Sequence, residues 1–221
     1  MSGHRYPGVG PDERTSFTPY SAFDIPQDLR EFGGRYDVEA MARRMRNFRY
    51  AEEWSMMMIG GWIATVPEVP VKTGLGKIAW EAAQAADVLG KRLPELRAGR
   101  NLNIASESAN QAFATFVQAV AAPEEPEETI EKLAGLFCVL KPHLLEVYED
   151  NILNTDQITD APTIELLEDI ARKTRRHIAW GKEVLERLCD TDAKHERARK
   201  HEAQLRQMLA ACGGVTGEKR S

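Results

Sequence analysis

The stretch from Asp160 to Leu188 constrains the fold most strongly, because it reads as one long amphipathic helix. Asp160 suits the residue that caps a helix start, and Pro162 suits the first turn. At about 100° per residue, apolar side chains recur along one face for the whole length. His177 falls in the middle of that face. A helix of this length predicts a helical bundle, and a buried imidazole is either a hydrogen-bonded core residue or part of a site.

Five other stretches show helical periodicity, and none predicts a strand. Helices are expected over residues 37–66, 71–96, 106–121, 127–154 and 192–211. Residues 1–36 are rich in Gly, Pro and aromatic residues and predict an irregular arm, either disordered or packed over the bundle or a neighbouring subunit. The predicted fold class is therefore all-α, with four long helices and two shorter ones over residues 37–212 and a flexible tail over 213–221.

Charge and composition narrow the function classes. The net charge of −5 over 221 residues gives no general attraction to nucleic acid or to anionic membranes. Basic stretches at 43–49 and 172–176 are interleaved with acidic residues, which favours solvated helix faces over an RNA-binding surface. No apolar run is long enough to span a bilayer, and no signal-peptide core begins the chain. Three cysteines without a paired motif predict free thiols and a cytoplasmic protein.

Two ionisable side chains are expected at the centre of core faces. Glu52 occupies the middle of the inward face of the helix over 37–66, and His177 occupies the corresponding place on its own helix. Lys173, one turn before His177, is tilted toward the core. A buried carboxylate without a partner is costly, so Glu52 needs one, and His177 and Lys173 are the candidates. The cluster is either a buried ion pair or a metal or catalytic site.

Helix order and local sequence carry a resemblance to a known family. The segments are YAEEWSMMMIGGWIATVPEVP, KIAWEAAQAADVLGKRLPEL and NTDQITDAPTIELLEDIARKTRRHIAWG. Over residues 37–190 the chain resembles the ferritin-like superfamily, and is most similar to its uncharacterised single-domain branches and to tRNA-hydroxylase-type relatives. The resemblance implies a ferritin-like four-helix bundle. It also implies a di-iron site built from Glu, Glu-x-x-His, Glu and Glu-x-x-His on successive helices.

Three positions of this chain match the family's ligand pattern. Glu52 matches the glutamate of the first helix in position and in facing. Glu81 matches the glutamate of the second helix and lies at the edge of the inward face. His177 matches the histidine of the fourth helix. The resemblance therefore implies a metal set of Glu52, Glu81 and His177.

Other positions depart from the pattern. Gln84 stands where the second helix should carry a histidine, and Thr174 stands where the fourth should carry a glutamate. On the third helix Glu146 and Glu149 are candidates, but both point away from the apolar face. Neutral Gln and Thr cannot balance the charge of two irons in a core of low dielectric constant. The departures argue against a full di-iron centre.

Several outcomes remain open. The cofactor is either absent or a single iron-like ion, and the ammonium of Lys173 could replace a metal's charge beside Glu52. The chain is then a metal-poor or metal-free structural or partner-binding protein. Alternatively it is an oxygenase-type enzyme acting on a small or tRNA-borne substrate, or a metal-free enzyme with Glu52, His177 and Lys173 as catalytic residues. Trp54 and Trp80 on polar faces, together with the arm, suggest a homodimer interface.

Overall fold

A computed structural model of the chain describes residues 34–98, 108 and 110–217. All regular secondary structure in these ranges is helical, which confirms the predicted all-α class. Most of the predicted arm, residues 1–33, lies outside the described residues, as do 99–107, 109 and 218–221. Within the described ranges, no helix combines the length and apolar character needed to cross a membrane.

Seven α-helices lie in the described ranges. They are α1 (Val38–Thr65), α2 (Val69–Glu95), α3 (Gln111–Ala121), α4 (Thr129–Ala134), α5 (Lys141–Asn154), α6 (Ala161–Leu188) and α7 (Asp192–Cys212). A short 3-10 turn, Pro126–Glu128, precedes α4, and a π-helical segment, Gly135–Leu140, joins α4 to α5. The helix predicted over 127–154 is thus present, but with a wider turn in its middle.

The helix ends follow from local chemistry. Asp37 caps α1, since its carboxylate accepts a hydrogen bond from the Ala40 amide at 2.7 Å. Asn110 caps α3 in the same way, through the Phe113 amide at 3.2 Å. That helix therefore starts at Gln111, later than the Ser106 that periodicity predicts.

Helices α1 and α2 form an antiparallel pair. Gly90, late in α2, lies against Arg49, whereas Gly76, early in α2, lies near Ile63 at the end of α1. Three further pairs of helices are also antiparallel. Helices α2 and α6 are joined by the contacts Arg92–Asp160 and Gly74–Trp180.

The π-helical segment and α5, taken together as the π–α5 segment, contact α6 through the pairs Glu149–Arg175 and Phe137–Gly181. Helices α1 and α5 are joined by the contacts Arg44–Asn151 and Glu52–Lys141.

The shared core is aromatic and aliphatic, and it contains several buried charges. Its largest fully buried rings are Tyr148, Phe48, Phe113, Phe116 and Phe137. Lys132 is also fully buried, but its ammonium donates to the Thr65 hydroxyl at 2.9 Å and to the carbonyls of Glu124 and Glu125 at 2.9 and 2.7 Å. Hydrogen-bonding of this kind is what makes burial of a lysine tolerable.

The chain after α7 does not leave the bundle at once. Val215 is fully buried, and its amide donates to Nε2 of His143 at 2.9 Å. The side chain of Asn110 donates to the carbonyls of Cys212 and Gly214 at 3.1 and 2.9 Å. Residues 213–217 of the predicted tail therefore form a packed turn. All three cysteines are free thiols, as predicted.

Candidate functional site

Glu52 lies at the centre of the buried face of α1, and its 1% exposure confirms the predicted orientation. Its Oε2 accepts a hydrogen bond from Nζ of Lys141 at 2.6 Å, and its Oε1 accepts one from the Tyr148 hydroxyl at 2.9 Å. Lys141 is 1% exposed and Tyr148 is fully buried. The carboxylate thus has one charged donor and one neutral donor, and all three side chains are buried. We call these three residues the Glu52 cluster.

The Tyr148 hydroxyl acts as a donor in this cluster. Burial raises the pKa of Tyr148 well above its ordinary value, and the charge of Glu52 and the hydrogen bond to it raise the pKa further. The phenol therefore keeps its proton. The Phe48 ring meets the Tyr148 ring edge-on, with centroids 5.0 Å apart, and helps to fix its direction.

The position of Lys141 depends on the helix around it. Lys141 and Tyr148 are seven residues apart, which places them two turns apart on one face of α5. Lys141 follows the π-helical segment directly, and Pro142 follows Lys141. Because proline has no amide hydrogen, the Cys138 carbonyl four residues earlier lacks its α-helical donor. That carbonyl accepts a hydrogen bond from Arg206 instead, at 2.8 Å.

The expectation that His177 or Lys173 partners Glu52 is wrong. Nζ of Lys173 lies 2.6 Å from Oδ2 of Asp169 on its own helix, and its side chain is 23% exposed. His177 pairs with Glu81. The charge that Glu52 needs comes instead from Lys141 on the facing helix α5, whose side chain is 1% exposed.

Glu81 and His177 form a second pair, in which His177 is buried and Glu81 is partly buried. Nε2 of His177 lies 2.5 Å from Oε2 of Glu81, and Arg176 approaches the other carboxylate oxygen at 3.4 Å. Burial by itself would raise the pKa of Glu81, but the hydrogen bond from His177 and the neighbouring basic groups lower it. Burial, and then the charge of Lys141, lower the pKa of His177, although Glu81 and Glu52 oppose this. The pair is therefore an ionised carboxylate and a neutral imidazole.

The neutral imidazole leaves one nitrogen unused. With the Nε2 hydrogen donated to Glu81, the lone pair of His177 is on Nδ1. His177 is 5% exposed, and its Nδ1 is buried without a hydrogen-bond partner among the described residues. An imidazole that a carboxylate orients through one nitrogen keeps a basic second nitrogen, which is the arrangement that general bases use.

The side chains do not fit the metal centre that the family resemblance implies. Both oxygens of Glu52 are engaged by Lys141 and Tyr148, and the buried ammonium would repel a cation. In the described part of the chain, no three His, Cys, Asp or Glu side chains form a group that could hold a metal ion. The predicted set of Glu52, Glu81 and His177 is thus divided between two hydrogen-bonded pairs.

The two acidic candidates on the third long helix also lie elsewhere, as their predicted facing implies. Glu146 is exposed, and Glu149 bonds to Arg175 at 2.7 Å on the surface. Neither carboxylate takes part in the Glu52 cluster.

Lys141 and Tyr148 are the residues that sequence reasoning missed as site residues. Tyr148 lies on the buried face of its helix, and Lys141 lies two turns before it on the same face. That spacing was the available signal. The spacing alone does not identify Lys141 as a core residue, because a lysine in a helix usually reaches solvent and because the preceding segment is not a regular α-helix.

Comparisons of this chain with family models, with curated proteins and with solved structures found no match.

Proposed function

We propose that this chain is a ferritin-like bundle in which a buried ion pair replaces the metal site, and that it acts as a metal-free structural or partner-binding protein. The observation that carries the proposal is the bond of 2.6 Å between Lys141 and Glu52, both 1% exposed. A metal ion in a carboxylate-lined core serves as the counter-charge of its ligands. In this chain the ammonium already supplies that charge.

The helix arrangement supports the ferritin-like part of the proposal. The neighbouring long helices α1, α2, α6 and the π–α5 segment contact one another in an antiparallel sense. The chain between α2 and α4 is long and contains α3. Ferritin-like bundles combine four long helices with one long crossover connection of this kind.

Exposed apolar side chains support the partner-binding part. Trp80 on α2 is 65% exposed, and Met57 on α1 is 39% exposed. From Ser55 to Thr65, α1 carries no charged residue, so its exposed side there is uncharged. A second copy of the chain fits such a surface, because identical uncharged faces can meet without repulsion while the chain as a whole carries −5.

Elemental analysis of protein purified from iron-supplemented cells tests the metal-free state. We expect no stoichiometric iron, manganese or zinc. About two irons per chain would overturn the proposal, because that is the content of a complete site of this family.

Light scattering after size-exclusion chromatography tests the partner. We expect a homodimer that Trp80→Glu converts to a monomer. Ile158→Glu is the matched control, since Ile158 is 74% exposed but lies in the turn before α6. A wild-type chain that stays monomeric at all concentrations would contradict the homodimer.

A second candidate function rests on the unpartnered Nδ1 of His177. In this alternative the chain is a metal-free acid–base catalyst on a small substrate, with His177 as the base and Glu81 as its orienting carboxylate. This alternative requires that a small molecule can reach the His177 imidazole from solvent. Modification by diethyl pyrocarbonate, mapped by mass spectrometry, is the test: modification of His177 in the folded protein supports the alternative, and complete protection excludes it.

A further inference from the structure

An apolar groove lies between the start of α2 and the end of α6, and we call it the Trp180 groove. Its volume is about 450 Å³, within the range of small-molecule sites. Its walls are mainly apolar, and its charged side chains are Glu68, Glu183 and Arg187. The apolar walls are formed by Pro70, Val71, Trp180, Val184 and Leu188. It contains none of the residues of the Glu52 cluster.

One charge in the groove is not compensated. Nη2 of Arg187 lies 2.6 Å from Oε1 of Glu183, so these two lining groups neutralise each other. Glu68 is half-buried, and its Oε2 is enclosed without a hydrogen-bond partner among the described residues. Glu68 occupies the capping position of α2, yet its side chain caps no amide of that helix. The charged groups that line the groove thus leave one negative charge, that of Glu68, without a neutralising partner, and this favours a cationic ligand.

The aromatic wall of the groove is held rigidly. The Trp180 ring meets the Phe137 ring edge-on, with centroids 5.6 Å apart. The indole also packs directly on Gly74, where an added Cβ would overlap the ring. A fixed indole beside an unpaired carboxylate is the combination that binds organic cations, because the ring face attracts positive charge and the carboxylate accepts N–H bonds.

We propose that the Trp180 groove binds a small protonated amine with an apolar or aromatic body. The ammonium group lies against the carboxylate of Glu68, and the apolar body lies along Val71, Val184 and Leu188 with Trp180 beside it. A neutral ligand of the same shape would leave Glu68 unpaired, and an anion would be repelled by it. This proposal goes beyond the partner-binding function and does not depend on it.

The test uses 2-phenylethylamine as the probe and 2-phenylethanol as its uncharged counterpart, added to the full-length protein at neutral pH. Binding is followed by calorimetry and by shifts in ¹H–¹⁵N spectra, in which the indole signal of Trp180 is assigned with Trp180→Phe. We expect saturable amine binding in the millimolar range or tighter, with shifts at Trp180 and Val71. The alcohol should bind at least about tenfold more weakly, because it lacks the charge-assisted hydrogen bond.

Two variants test whether the charge of Glu68 holds the ligand. Glu68→Gln should weaken amine binding about tenfold or more, since it removes the charge and keeps the shape. Glu196→Gln is the matched control and should change the affinity less than about twofold, since that carboxylate is exposed, is paired with Arg199 and lies outside the groove. Equal binding of amine and alcohol by the wild type, an unchanged affinity of Glu68→Gln, or no saturable binding in the millimolar range would each overturn the proposal. The comparison of the two probes on the wild type decides the matter even if a variant fails to fold.

Discussion

Replacing Lys141 by methionine removes the ammonium from the Glu52 cluster and keeps a side chain of similar length. Among the described residues, the Tyr148 hydroxyl at 2.9 Å is then the donor that remains to Glu52, which is 1% exposed. Removing one partner of a buried ion pair costs about 3–5 kcal/mol, because the other charge stays buried and uncompensated. We therefore expect Lys141→Met to lower the free energy of unfolding by several kcal/mol.

The cost has an upper bound, because the carboxylate of the variant can take up a proton. A glutamate in an unfolded chain has a pKa of about 4.3, so folding with this carboxyl group protonated costs about 3.7 kcal/mol at pH 7. This upper bound on the loss of unfolding free energy falls by about 1.4 kcal/mol for each pH unit of acidification and reaches about 1 kcal/mol at pH 5. The difference in unfolding free energy between the wild type and Lys141→Met should therefore be largest at neutral pH and should narrow on acidification.

Urea unfolding followed by circular dichroism at several pH values measures this difference. Lys91→Met is the control, because Lys91 is 61% exposed and bonds to Asp87 one turn away on the surface of α2, so its loss should cost less than about 0.5 kcal/mol. The double variant Glu52→Gln/Lys141→Met should recover much of the stability that Lys141→Met loses, since no uncompensated charge remains.

Two results would refute this reasoning. A loss below about 1 kcal/mol at pH 7 would mean that Glu52 is not enclosed as described. A loss that does not change with pH would mean that the defect is a packing defect, because a cavity costs the same at every pH.

Three further predictions concern neighbouring residues. Tyr148→Phe should cost about 1.5–3 kcal/mol of unfolding free energy, because Glu52 loses a hydrogen bond to a charged group; urea unfolding measures it, and no loss would contradict the bond. The pKa of His177 is lowered in the folded chain, so on acidification the unfolded chain protonates this imidazole first. The free energy of unfolding should therefore have its full value above pH about 6.5 and fall as the pH drops toward the lowered pKa of the folded state. His177→Gln should flatten that slope by up to about 1.4 kcal/mol per pH unit, and an unchanged slope would contradict the shift. Gly181→Ala should destabilise the protein by about 1–3 kcal/mol, because the added Cβ would overlap the ring of Phe137. Gly60→Ala is its control and should be neutral or stabilising, because the space around Gly60 is open. Equal melting temperatures of the two variants would contradict this packing.

The helices could be predicted because their signals are local. Asp37 caps α1 through a hydrogen bond to an amide only three residues away, so the cap is visible in the sequence itself. Apolar periodicity likewise gives the facing of Glu52 and His177, which are 1% and 5% exposed. Periodicity alone places the start of α3 several residues too early, because Asn110 caps the helix within a periodic pattern that continues upstream of it.

The pairings inside the core could not be predicted, because they depend on how far each helix is shifted along its neighbours. The facing of Glu52 and of His177 is the same whether or not the two side chains meet. In the structure His177 meets Glu81 on α2, and Glu52 meets Lys141 on α5. The π-helical segment before Lys141 adds to the difficulty, because a uniform angle per residue no longer relates the two halves of that long helix.

Sequence reasoning nevertheless identified the need for a cation beside Glu52, and this has a consequence for metal binding. An ion that bound to Glu52 would have to displace the ammonium of Lys141, which would then be buried without a partner. Stranding such a charge costs about 3 kcal/mol or more, which lowers the affinity of the site for a metal at least about a hundredfold. The bond between Lys141 and Glu52 therefore opposes metal binding thermodynamically, whatever other ligands Glu81 and His177 could offer. Removal of the ammonium alone would not create a ligand set, because those two side chains remain bonded to each other.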